Sequence, residues 1–169
     1  DLQEWLAYCA RIKSTYLEHI PISSDFSLYD ALDELNVYMD QFGSVVTDAG
    51  QPWYIVPQVL KLTKNNTFIS SGSFGSMGMT LPYIVGASQS CNVKPVLGVV
   101  GDGSLMMCVS ELSTLKTSDS SFVLLIVNNG GYRSIKATQD KFFEGRKLGT
   151  DESSGVFIPD YKSLVSCFG

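Results

Sequence analysis

Four short runs of uninterrupted apolar or β-branched residues, at 44–47, 67–70, 96–100 and 122–127, alternate with stretches of helical periodicity, and this restricts the fold more than any other feature of the chain. A strand that alternates polar and apolar residues buries one face, whereas a strand that is apolar throughout has to be covered on both. Helices predicted near residues 56–62, 79–88, 105–116 and 132–140 supply that cover. The expectation is an α/β fold: three layers, α/β/α, around a mainly parallel central sheet whose neighbouring strands are joined by βαβ crossovers.

The N-terminal segment reads differently. Leu2, Trp5, Leu6, Cys9 and Ile12 fall at helical spacing, Pro21 ends that helix, and Ser23-Ser24 opens a connector. Ser27 is placed to cap a second helix, in which Leu28, Leu32 and Leu35 share a face. Residues 1–25 are therefore expected to be a linker helix and connector from an upstream region. Residues 26–169 are expected to form one domain, cut short after a final helix near 161–168.

Bulk properties set the limits. Hydrophobic residues make up 44% and charged residues 17%, the composition of a globular chain able to bury a core. A net charge of −5 argues against broad contact with nucleic acid, which requires clustered Lys and Arg. No apolar run approaches the length of a bilayer span and no signal-peptide pattern opens the chain, so a cytoplasmic protein without membrane contact is expected. Cys9, Cys91, Cys108 and Cys167 are scattered without a CxxC pair and read as reduced thiols. With His19 the one histidine, Ser-His or His-His chemistry within the chain is disfavoured.

Chemistry gathers at the predicted strand ends. Val99-Val100-Gly101-Asp102-Gly103-Ser104 and, one helix later, Leu125-Ile126-Val127-Asn128-Asn129-Gly130-Gly131 are both apolar strands running into tight polar turns. A crossover between them brings Asp102 and Asn129 out side by side, at the sheet edge where open α/β folds bind ligands. Magnesium takes hard oxygen ligands, usually one or two from protein side chains with phosphate and water supplying the rest. Asp102, Asn129 and the Gly131 carbonyl fit that demand, while Gly101, Gly103 and Ser104 open a helix whose first N–H groups suit phosphate.

These motifs resemble the cofactor motif of thiamine-diphosphate-dependent enzymes. The segment Ser71-Gly72-Ser73-Phe74-Gly75-Ser76-Met77-Gly78-Met79-Thr80-Leu81-Pro82 is similar to the loop that supports the aminopyrimidine ring in acetohydroxyacid synthases and related decarboxylases. The resemblance implies that the Gly75 carbonyl accepts from the 4'-amino group and that the Met77 N–H donates to a ring nitrogen. It also implies that the Met77 side chain lies under the bent cofactor; taken alone, Met77 reads as a core methionine. Val45-Val46-Thr47-Asp48-Ala49-Gly50-Gln51 resembles the family segment beside the diphosphate, with Gln51 as a donor or as part of a plain strand–turn–helix connection.

Together the motifs resemble the C-terminal diphosphate-binding domain of an acetolactate-synthase-like enzyme, which decarboxylates a 2-oxo acid and transfers or ligates the aldehyde unit. The cofactors implied are thiamine diphosphate and Mg2+. The implied partners are a pyrimidine-binding domain carrying the activating glutamate, from another subunit of a homo-oligomer, and a small 2-oxo-acid substrate. No catalytic residue is expected in this chain; Glu111 reads as a capping or surface residue. Two departures leave the substrate open. Pro52 stands where the synthases usually have His, and Thr138 stands where they have a tryptophan linked to acceptor choice. Tyr132, Arg133, Lys136, Gln139 and Lys141 suit an anionic acceptor or form a solvated helix face. A simple decarboxylase of the sulfopyruvate or phosphonopyruvate type and a non-catalytic diphosphate-binding module are the alternatives.

Overall fold

The computed structural model describes residues 1–18, 26–90 and 94–169. His19, Pro21, Ser23, Ser24 and Cys91 lie outside the described residues, and with them the predicted connector.

Strands β1 (Ser44–Thr47), β2 (Thr67–Ile69), β3 (Val96–Gly101) and β4 (Phe122–Val127) form one sheet in the order β2-β1-β3-β4. Each neighbouring pair is parallel. The helices are α1 (Leu2–Glu18), α2 (Leu28–Leu35), α3 (Gln51–Val59), α4 (Thr80–Ser88), α5 (Asp102–Cys108), α6 (Glu111–Thr117), α7 (Arg133–Phe142) and α8 (Tyr161–Ser166). The expected α/β architecture is present.

Strand side chains alternate between two cores, which is why the strands had to be apolar throughout. On one face Val46, Val96 and Val100 pack with Leu81 and Ile84 of α4, Leu105 of α5 and Leu112 and Leu115 of α6. On the other, Val45, Leu97 and Val99 pack with Leu32 of α2 and Ile55 and Val56 of α3. Fully burying each Val or Leu contributes about 1.5–3 kcal/mol before the entropy of ordering is subtracted. Gly98 in mid-β3 has a packing reason: an added Cβ would lie 2.7 Å from Ile84 Cδ1, so its bareness lets α4 close on the sheet.

Three local expectations changed. The helix predicted over 105–116 is two helices, because near Val109–Ser110 the bonding tightens to Leu112 N–H donating to the Val109 carbonyl and Ser113 N–H to the Ser110 carbonyl. Leu105, Cys108, Leu112 and Leu115 keep helical spacing across the break, so the sequence pattern runs on where the helix does not. Helix α3 starts at Gln51 instead of residue 56, with Pro52 in its first turn, where a missing N–H costs little. The apolar stripe of α1 stays exposed at Leu2, Trp5, Leu6 and Ile12, with Trp5 stacked on Tyr8 at 5.7 Å. Ser27 caps α2 as expected, in a capping box with Asp30.

The strand order reverses between β1 and β3. From β1 the chain moves outward to β2, and from β3 it moves the opposite way to β4. Loops leaving β1 and β3 therefore diverge and open a crevice at the C-terminal edge of the sheet.

Candidate cofactor site

A cavity of about 260 Å3 occupies that crevice. One wall is the turn after β1, with Gln51 and Pro52; the second is the turn after β3, with Gly101, Asp102, Gly103 and Ser104. The third carries Asn129, Gly131 and the start of α7 through Ile135, and Gly75 and Met77 close the remaining side. Every residue singled out for cofactor or metal from the sequence thus borders one space.

Asp102 is 1% exposed. Its Oδ1 accepts the Gly103 N–H and its Oδ2 the Gly131 N–H, each at 2.8 Å. The parallel register pairs Gly101 with Val127, so the two turns leave the sheet at the same level and this bridge follows. A carboxylate has about four lone-pair sites, so each oxygen keeps capacity for a cation. The Gly103 N–H, expected to face phosphate, points back to Asp102. Gly103 also makes room for a ring, since a Cβ there would meet Tyr132 Cε1 at 2.3 Å.

Asn129 Nδ2 donates to Gln51 Oε1 at 2.8 Å, joining the first and third walls. Asn129 Oδ1 and Gln51 Nε2 make no hydrogen bond among the described residues, nor do the Gly75 carbonyl, the Met77 N–H and the Ser104 hydroxyl. The cavity is lined by polar groups available to a ligand. Gly75 holds a left-handed conformation, φ +56, which aims this part of the loop.

The Asn129–Gly131 turn is held from behind. Tyr132 N–H donates to the Thr150 carbonyl at 2.9 Å, and a Cβ on Gly131 would lie 2.2 Å from that same oxygen. The segment that presents Thr150 is tied to α7 by Gln139, which bonds Leu148 through both ends of its amide, and by Lys136, which pairs with Asp151 at 2.6 Å. Lys136, then Ser153 and Ser154, hold the Asp151 carboxyl well below the usual carboxylate range. Gly131→Ala combines a backbone clash with φ +117. It is expected to cost about 2–4 kcal/mol in denaturant unfolding, above the usual surface substitution; a loss under 0.5 kcal/mol would show that the turn relaxes freely.

The sequence motifs gave Asp48 no role, yet it is 0% exposed and accepts four backbone N–H groups. Ala49 at 2.9 Å and Gly78 at 3.0 Å reach Oδ1; Met79 at 2.9 Å and Thr80 at 3.0 Å reach Oδ2. It fastens the end of β1 to the Gly75–Met77 loop and satisfies the start of α4 internally. Helices α3 and α7 also begin at this edge, at the cavity itself, and neither has a side-chain cap. Their leading N–H groups and dipoles favour an anion there.

The polar residues of α7 separate into distinct roles. Lys136 and Gln139 build the support described above, the Lys141 ammonium lies over the Phe142 ring, and Thr138 Oγ1 bonds the Ser134 carbonyl. Arg133 borders the cavity. Glu111 is half-buried at the start of α6 and does not line the cavity. Tyr161, buried on α8 with an unpaired hydroxyl, has its phenol pushed up to about 12 by burial and then by Asp102 and Tyr132. Of the described cysteines, Cys9, Cys108 and Cys167 form no disulfide; Cys108 alone among them is buried, and burial pushes its thiol up to about 11. Among the described residues no helix is long and apolar enough to cross a membrane, and no group of three or more His, Cys, Asp or Glu is gathered for a metal.

Residues 48–169 match the family model described as thiamine pyrophosphate enzyme, C-terminal TPP binding domain. The acetolactate synthase large subunit of Corynebacterium glutamicum is 28% identical over the whole of this chain, which covers 28% of that protein. The acetolactate synthase isozyme 2 large subunit of Escherichia coli is 29% identical over 98% of this chain and 30% of its own length. The chain thus spans less than a third of the relatives it matches. Among solved structures, a thiamine diphosphate-dependent 4-hydroxybenzoylformate decarboxylase of Rhodococcus jostii shares the fold, with a TM-score of 0.73 at 20% identity over 89% of this chain and 28% of that one.

Proposed function

Since this chain belongs to the thiamine pyrophosphate enzyme family through its C-terminal TPP binding domain, we propose that its cavity holds thiamine diphosphate through Mg2+. In this reading the chain is the diphosphate-binding part of an acetolactate-synthase-like enzyme, which decarboxylates a 2-oxo acid and transfers or ligates the aldehyde unit. The observation that carries the reading is the set of unpaired polar groups on one cavity wall after another. Asn129 Oδ1, Gln51 Nε2, the Ser104 hydroxyl, the Gly75 carbonyl and the Met77 N–H offer acceptors and donors of the kinds a diphosphate, a metal and an aminopyrimidine take.

Asp102, Asn129 and the carbonyl of Gly131 hold the magnesium. A single buried carboxylate is enough, because this ion keeps most of its shell from phosphate and water, so a site without a cluster of three acidic or soft ligands suits it. Gln51 and Ser104 donate to the diphosphate, with Gly101 and Gly103 keeping the β3 turn close, and the uncapped starts of α3 and α7 add to the field. Gly75 and Met77 hold the aminopyrimidine, and the half-buried Met77 side chain fills space beneath it. The cofactor supplies an ylide nucleophile and an electron sink. A glutamate on a pyrimidine-binding domain of another subunit completes the site, making the protein a homo-oligomer, and the chain alone binds without turning over.

Calorimetry on the protein at its full natural length is expected to show tighter binding of thiamine diphosphate with Mg2+ than of ADP with Mg2+. Tighter ADP binding would move the site to a nucleotide module. With cofactor bound, pyruvate supplied with and without an added aldehyde separates the reactions: a ligated product supports the synthase-like reading, and free aldehyde alone points to a simple decarboxylase.

A further inference from the structure

Resting on that cofactor reading, we infer that Arg133 is the cationic residue that anchors the diphosphate. The charge around the cavity sets the problem. The chain carries a net charge of −5, and the buried Asp102 adds a fixed carboxylate to the cavity wall. A diphosphate bringing several more negative charges to such a wall needs cations, and one divalent ion leaves an excess. Among the lining residues Arg133 is the one with a permanent positive charge.

The hydrogen-bond pattern leads to the same residue. The Gly103 N–H that the motif offers to phosphate is taken by Asp102 at 2.8 Å, and the Gly131 N–H is taken by the same carboxylate at 2.8 Å. Fewer backbone donors are then left for phosphate, and side chains have to supply more of its contacts. The nearby lysines are engaged: Lys136 with Asp151, Lys147 with Asp140, and Lys141 over the Phe142 ring. The Arg133 guanidinium makes no hydrogen bond or ion pair among the described residues, and its planar fork matches two phosphate oxygens at once. The neighbouring Ser134 brings the start of α7 against the turn after β1, with its Oγ 3.9 Å from where a Cβ of Gly50 would stand. Arg133, one residue earlier at the start of α7, borders the same cavity as Gln51 of α3 and Asp102.

The test compares unsubstituted protein, Arg133→Gln and Arg133→Lys at full natural length, titrated calorimetrically with thiamine diphosphate plus Mg2+ and with inorganic pyrophosphate plus Mg2+. Arg133 is exposed, so the apo proteins are expected to unfold at the same temperature. Arg133→Gln is expected to weaken both ligands by roughly 10- to 100-fold, the range for a charge-assisted bond to phosphate, with Arg133→Lys regaining part of it. The unsubstituted protein should also lose affinity more steeply with added salt than Arg133→Gln does. Affinities within two-fold of the unsubstituted protein overturn the inference. So does a raised KM for the 2-oxo acid at unchanged cofactor affinity, because the guanidinium then serves the substrate carboxylate. Failure of the unsubstituted protein to bind thiamine diphosphate is a separate result, which removes the cofactor reading and this inference with it.

Discussion

Asp102→Ala is expected to abolish magnesium-dependent binding of thiamine diphosphate, by more than about 100-fold, and to lower stability at the same time. The two effects have different origins and can be measured apart. The carboxylate is the charged ligand proposed for the metal, so its loss should make cofactor affinity indifferent to Mg2+. It is also the acceptor for the Gly103 and Gly131 N–H groups, which are left without a partner in a buried turn. Two such orphaned donors cost about 2–5 kcal/mol together. Asp102→Asn separates the parts: the amide keeps the volume and one oxygen, so more of the stability returns than of the metal dependence. Titration with and without Mg2+ beside urea unfolding gives both values, and an unchanged magnesium dependence in Asp102→Ala would remove Asp102 as a ligand.

A larger loss of stability is expected at a residue that touches no proposed ligand. Asp48→Ala strips the acceptor from four N–H groups belonging to Ala49, Gly78, Met79 and Thr80. Even with some of them reaching water after relaxation, a cost of at least about 4 kcal/mol follows from the unpaired donors. Asp48→Asn should recover only part, because one half of an amide donates where the carboxylate accepted. Urea midpoints compared with those of Asp102→Ala test the order; an Asp48→Ala loss of 1 kcal/mol or less would show that the loop before α4 rebuilds its bonds elsewhere.

The strands were legible because burial on two faces demands an unbroken apolar run, and β1, β3 and β4 carry one. The turns were legible for a related reason: polar residues and glycine packed directly against such a run have few other uses. Their meeting in space was readable only as far as adjacent parallel strands could be assumed. The reversal between β1 and β3 that creates the crevice is a property of strand order, which no local pattern encodes. Helix starts were harder, since Pro52 inside a first turn and the unbroken spacing of Leu105, Cys108, Leu112 and Leu115 both conceal the true boundaries. Asp48 was passed over because three of its four partners lie some thirty residues away and all are backbone groups, which carry no residue-type signal. The brace of Gln139, Lys136, Thr150 and Asp151 behind the Gly131 turn was hidden likewise. From the sequence Lys136 and Gln139 suit an anionic acceptor or a solvated helix face; the loop of Thr150 and Asp151 that folds back on them carries no such signal.

Strand β4 is paired with β3 along one side only among the described residues, and its sequence, Phe-Val-Leu-Leu-Ile-Val, contains neither charge nor proline. A run of this kind with one free row of N–H and C=O groups is an open template for cross-β growth. Handled as an isolated chain, the protein is therefore expected to associate edge to edge along β4, and a charged substitution at the exposed Val123 is expected to reduce that association in light scattering.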